Sequence, residues 1–146
     1  MPKVLIIQAS LNPQSKTAIV ASEAEKILNS LDEVDCKILD LRYFDMQFCD
    51  GRKLTDYNSD TQKAFEMIND ADGFIIGMPV YCYSVSGPLK NLIDITSSAM
   101  EKKVAGILCT TGSPMSFLAS SDLAKILAYE SNVLSVQPVV LSLIHI

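Results

Sequence analysis

Histidine is all but missing from this 146-residue chain: the single one is His145, next to the last residue. With no imidazole in the body of the chain, Ser-His-Asp and Cys-His hydrolases lose their general base. Chemistry that asks little proton handling of side chains, such as hydride transfer through a cofactor, stays open. Four cysteines, Cys36, Cys49, Cys82 and Cys109, are scattered without any CxxC pair. Neither a zinc site nor a disulfide framework has the spacing it needs, so no metal is expected and reduced thiols in a cytoplasmic protein are. Positive charge is scarce too, with 12 Lys and Arg against 17 Asp and Glu for a net −5. That balance leaves no electrostatic footprint for nucleic acid or anionic lipid and favours small molecules or protein partners. No apolar run approaches the roughly 18 residues of a membrane span, and "MPKVLIIQAS" is too short and too poorly flanked to read as a signal peptide.

What is there reads as one α/β domain over residues 1–146. Apolar residues make up 49% of the chain and charged residues 20%, the balance of a globular protein with a sizeable core. "KVLIIQA" (3–9), "VDCKILDL" (34–41), "GFIIGMPVY" (73–81), "KVAGILCTT" (103–111) and "VQPVVLSLI" (136–144) are short continuous apolar runs, as expected of strands buried on both faces. Between them, apolar residues recur at three- and four-residue spacing: Val20, Ala24, Ile27, Leu28 and Leu31; Ala64, Phe65 and Ile68; Leu89, Leu92 and Ile93; Leu123, Ile126 and Leu127. Ser59 with Gln62 has the form of a capping box, and Pro88 sits where a first-turn proline is tolerated. Strands alternating with helices imply right-handed crossovers and a three-layer domain around a parallel sheet. Ligands of such sheets bind beyond the carboxyl ends of the strands, which directs attention to the loops 9–17, 79–87 and 110–116.

The first of these loops, "ASLNPQSKT", carries hydroxyls and a lysine but no glycine. At a strand end running into a helix, unsatisfied backbone N–H groups and the positive end of the helix dipole make an anion site, most commonly for phosphate. The alternative is that Ser15 or Thr17 merely caps the helix. No G-x-x-x-x-G-K-[ST] and no G-x-G-x-x-G follows the strand, which excludes a nucleotide triphosphatase and a Rossmann dinucleotide site and favours something smaller than a pyrophosphate. In the second loop two tyrosines, Tyr81 and Tyr83, stand at a strand end, suited either to a planar ring system or to packing on neighbouring loops.

Together, "ASLNPQSKT" resembles the Gly-Ser-x-Arg-x-x-Ser-x-Asn/Thr loop of the NADPH-dependent FMN reductase family, and "PVYCYSVSGPLKNLID" resembles its Pro-x-Tyr-x-x-Ser-x-x-x-x-Leu-Lys-Asn-x-x-Asp segment. The match runs in order and spacing from residue 3 to about residue 140. The resemblance implies a flavodoxin-like doubly wound sandwich with strand order 2-1-3-4-5 and FMN across the strand ends. Ser10, Asn12, Ser15, Lys16 and Thr17 would hold the phosphate. Pro79, Val80, Tyr81, Cys82, Tyr83 and Ser84 would line the isoalloxazine ring, with Thr111, Gly112 and Ser113 on its other side. Cys82 is read as a small packing residue, and Lys90 and Asp94 as structural residues of the following helix. The implied reaction is hydride delivery from NAD(P)H to flavin N5, then electron transfer to a quinone, azo, flavin or metal acceptor, with no catalytic side chain and a homodimer or tetramer as the working unit.

Three departures bear on this reading. The usual loop arginine is Asn12 and the leading glycine is Ala9. Losing a charge-assisted bond of roughly 1.5–3 kcal/mol would loosen FMN by about tenfold or more unless Lys16 compensates. The end "SVQPVVLSLIHI" lacks the fifth helix that flavodoxin-like domains use to cover one face. "LSLIHI" (141–146) resembles translated sequencing-adapter read-through, so a C-terminal truncation is expected, with a bare apolar face prone to associate. The readings that compete with the reductase are a flavodoxin-type electron carrier, whose threonine-rich loop is absent here, and a flavodoxin-like interaction module without cofactor.

Overall fold

The computed structural model describes residues 1–143; His145 and the ends of the expected fifth strand and of the 141–146 stretch lie outside the described residues. The apolar runs become strands β1 (Lys3–Gln8), β2 (Asp35–Asp40), β3 (Gly73–Pro79) and β4 (Val104–Thr111). Four helices alternate with them: α1 (Lys16–Asn29), α2 (Ser59–Asp70), α3 (Gly87–Thr96) and α4 (Ala119–Ser131). The sheet is parallel throughout, in the order β2-β1-β3-β4 with the last strand segments beyond β4, the doubly wound arrangement expected.

The fifth strand is not continuous. It forms as β5 (Leu134–Ser135) beside Val104 and Ala105 and as β6 (Val140–Leu143) beside Leu108 to Thr111. Pro138 lies between the two pieces, and a residue without an N–H cannot continue a ladder. At the start of α2 the cap is Asn58 rather than Ser59: its side chain accepts from Thr61 N at 2.9 Å, while Gln62 donates to the carbonyl of Tyr57 at 2.7 Å. An Asn one residue upstream offers the same acceptor at the correct offset, so the box over Ser59 and Gln62 does not form.

Successive strand residues point to opposite faces, so Ile6 and Ile7, both fully buried, serve two different cores. Ile7 belongs to the larger, built with Leu39, Ile76 and Ile107 against Ile68 of α2, Leu92 of α3 and Leu123 of α4. Ile6 belongs to the smaller, where Ala21, Ala24 and Leu28 of α1 meet Cys36, Ile38 and Ile75. The stripes expected on α2, α3 and α4 face the sheet. That of α1 does so only in part, because Thr17, Ala18 and Ala21 are the buried residues while Ile27 and Leu31 are exposed. Small residues let this helix lie close to the sheet. Gly77 does the same from below, since a Cβ there would sit 3.1 Å from Thr17 Cγ2. The start of α1 is thereby seated directly over β3.

Candidate functional site

The carboxyl ends of β1, β3 and β4 open into a cavity of about 350 Å³, lined by Ser10, Asn12, Gln14, Ser15, Lys16 and Thr17, by Pro79, Val80 and Tyr81, and by Thr110, Thr111 and Gly112. The volume falls in the range of small-molecule sites, on the order of 300–1,000 Å³. Ten of the residues singled out in the sequence thus share one cavity. Cys82, Tyr83, Ser84 and Ser113 lie outside its lining, on the turns that continue from Tyr81 and Gly112.

The first wall is the strand-to-helix loop. Ser15 is indeed the cap of α1, its hydroxyl oxygen accepting from Ala18 N at 3.0 Å. Capping and anion binding are compatible here, because that bond uses the oxygen and leaves the O–H free. The N–H groups of Ser15, Lys16 and Thr17 meet no acceptor among the described residues, as the geometry of a helix start dictates. Lys16 is exposed and forms no ion pair with the described residues. Thr17 is buried, its hydroxyl bonded to that of Thr110 on β4, which ties the helix start to the floor of the cavity.

The second wall turns sharply. Ser84 N donates to Tyr81 O at 3.1 Å across Cys82 and Tyr83, whose φ angles are 50° and 61°. Two left-handed residues in a two-residue loop make a type I′ turn, normally given to Asn and Gly. Tyr81 and Tyr83 are 53% and 62% exposed, so their rings do not pack on neighbouring loops, and Cys82 is exposed rather than a packing residue. The N–H groups of Cys82 and Tyr83 also lack acceptors among the described residues. A turn with exposed aromatic faces and spare backbone donors is what a planar, hydrogen-bonding ring requires.

Several residues that position the site went unnoticed in the sequence. Asp122 of α4 accepts from the hydroxyl of Ser84 at 2.8 Å and anchors the tyrosine turn, a contact across 38 residues with no local signal. Gln8 and Asp40 are buried beneath the first loop, and the one clue was a polar residue closing the apolar run "KVLIIQ". Burial by itself would raise the carboxyl of Asp40, but hydrogen bonds from Arg42 and Gln8 outweigh it and hold the group below the ordinary carboxylate range. On the opposite side of the ledger, burial pushes the Cys109 thiol up to about 11, which leaves it a packing residue. Lys90 and Asp94 pair with each other at 2.6 Å along the surface of α3, in keeping with a structural role. Among the described residues no group of three or more His, Cys, Asp or Glu is placed to hold a metal, and no helix is long and apolar enough to cross a membrane.

Comparison with known proteins converges on one family. The model of the family described as NADPH-dependent FMN reductase matches residues 2–145. An NAD(P)H-dependent FAD/FMN reductase of Geobacillus thermodenitrificans is 38% identical over 119 residues, which are 78% of this chain and 63% of that protein. A quinone reductase of Escherichia coli is 32% identical over 106 residues, 71% of this chain and 55% of the relative. The chain therefore spans somewhat over half the length of these curated relatives. Among solved structures, an NADH:FMN oxidoreductase in its apo form superposes with a TM-score of 0.81 at 26% identity, covering 97% of this chain and 76% of that one. The flavoenzyme NAD(P)H:(acceptor) oxidoreductase of Paracoccus denitrificans shares the fold, with a TM-score of 0.80 at 17% identity over 94% of this chain and 76% of its own.

Proposed function

Because the chain belongs to the NADPH-dependent FMN reductase family, we propose that residues 1–146 form one FMN-binding domain of an NAD(P)H-dependent oxidoreductase whose acceptor is a quinone, azo compound, free flavin or metal ion. One observation carries the reading: a single cavity has free helix-start N–H groups on one wall and an exposed tyrosine at the head of a donor-bearing turn on the other. That donor set fits a phosphate at one end and a planar ring at the other.

The N–H groups of Ser15, Lys16 and Thr17 would hold the phosphate, with the Ser15 hydroxyl as a further donor and the Lys16 ammonium as a point charge. Tyr81 and the Cys82–Tyr83 turn that continues from it would seat the ring, with Thr111 and Gly112 at the end of the neighbouring strand. A flavin held there would supply the redox chemistry, hydride acceptance from NAD(P)H and onward electron transfer. The chain's own residues bind and orient; none is needed to move a proton, in keeping with a described chain free of histidine. Met115, Phe117 and Leu118, all exposed on the segment after Gly112, would offer apolar surface to an aromatic acceptor.

The test is anaerobic mixing of the flavin-loaded protein with NADPH, followed at the flavin absorbance band. Rapid bleaching is expected. Flavin that binds but bleaches slowly or not at all would point to an electron carrier instead, and a chain that takes up no FMN at micromolar concentrations would end the flavoprotein reading.

A further inference from the structure

The phosphate cradle has no glycine to shape it, and its path is set instead by side chains that each accept the N–H two residues on. Gln8 Oε1 accepts from Ser10 N at 2.6 Å, Ser10 Oγ from Asn12 N at 3.4 Å, and Asn12 Oδ1 from Gln14 N at 2.9 Å. These bonds consume the N–H groups of Ser10, Asn12 and Gln14 and leave those of Leu11, Ser15, Lys16 and Thr17 without acceptors among the described residues. The relay begins at Gln8, the one link fastened to the sheet.

Gln8 is fully buried, and all of its side-chain hydrogen-bonding groups are used. Besides the bond to Ser10 N, its Nε2 donates to Ser10 O at 3.0 Å and to Asp40 Oδ1 at 2.8 Å. Ser10 is thus gripped at both backbone groups, and the grip is braced against the end of the neighbouring strand. Asp40 is in turn held by Arg42, which donates through Nε at 3.0 Å to Oδ1 and through its backbone N–H at 3.1 Å. A buried carboxamide with every group satisfied has one low-energy orientation, because any other leaves a polar atom unpaired at about 1–3 kcal/mol.

Resting on the FMN reading above, we propose that Gln8 is the positioning residue for the phosphate cradle and sets the chain's selectivity for the phosphorylated flavin. Gln8 does not itself line the cavity; it acts through Ser10, which does, and the loop that follows. The tyrosine turn that would seat the ring hangs from Asp122 and is independent of it.

The test titrates FMN and riboflavin, which share the ring and differ in the phosphate, into flavin-free wild-type protein and the Gln8→Met and Gln8→Asn variants, reading fluorescence. Methionine keeps the volume without the bonds, and asparagine keeps the amide but is one methylene too short to bridge Asp40 and Ser10. In both, the Kd for FMN is expected to rise about tenfold, the equivalent of one hydrogen bond, with riboflavin staying within about twofold. Equal losses for both ligands, an FMN affinity that does not change, or failure of both variants to fold would overturn the proposal, the last because Gln8 would then serve the sheet rather than the cradle. Wild-type protein without any preference for FMN would take down the cradle reading together with the inference. A wild-type preference that survives both variants undiminished overturns the inference alone.

Discussion

In the proposed FMN site, Asn12 is the residue that would decide how firmly the phosphate is held. It replaces the arginine of the related loop, and its side chain is spent on an Asx turn to Gln14 N. The nearby cation in the cavity lining is Lys16, exposed and unpaired among the described residues, while Arg42 is committed to Asp40. Restoring an arginine with Asn12→Arg would add a charge-assisted bond of roughly 1.5–3 kcal/mol and give up a turn bond of roughly 1 kcal/mol. The expected net result is FMN binding about tenfold tighter at low salt, the gain shrinking as salt rises. An isothermal titration at two ionic strengths checks it, and an unchanged Kd would mean that position 12 does not face the phosphate.

The tyrosine turn is the element in which local preference and use conflict. Cys82 and Tyr83 both adopt the left-handed conformation, which costs a side-chain-bearing residue roughly 1–2 kcal/mol. The turn persists because β3 delivers the chain at Pro79, α3 takes it up at Gly87, and Asp122 fastens Ser84 between them. Tyr83→Gly should relieve part of the strain and stabilise the fold by about 0.5–1 kcal/mol, a rise of roughly 2 °C in Tm. It should also weaken riboflavin and FMN alike, since both would lose the same aromatic face. A thermal melt paired with the two titrations separates these effects; a lower Tm would show that the tyrosine ring is part of the packing.

At the scale of the whole molecule the two faces of the sheet are unequally covered. Among the described residues, three helices lie over one face, and α1 is the one helix that packs on the other. Beyond its reach Val104, Leu134, Val136 and Val140 remain 42–66% exposed along β4, β5, β6 and the segment between the last two. A contiguous apolar surface of this kind favours association. The 146-residue chain is expected to bind a hydrophobic dye such as ANS and to scatter light as its concentration rises. Val136→Glu with Leu134→Lys should reduce both. A doubly substituted chain that binds as much dye as wild type would show that the surface lies elsewhere.

The parallel sheet was legible because continuous apolar runs and three- to four-residue stripes are consequences of burial on two faces, which a one-dimensional pattern records, whereas its strand order followed only from the resemblance to the family. The cradle and the tyrosine segment were legible for a similar reason: each is a contiguous stretch between a strand and a helix, so its chemistry is local. The split of the last strand was readable in principle at Pro138, and the cap at Asn58 lay one residue from the one expected. Tertiary structure alone decided what spans distant residues. It closed Thr17 on Thr110, Ser84 on Asp122, and Gln8 on Asp40, and it showed that the tyrosines are bare. Hydrogen bonds across 93, 38 and 32 residues leave no periodicity behind, since each depends on two strands or helices arriving at the same place and not on any spacing along the chain.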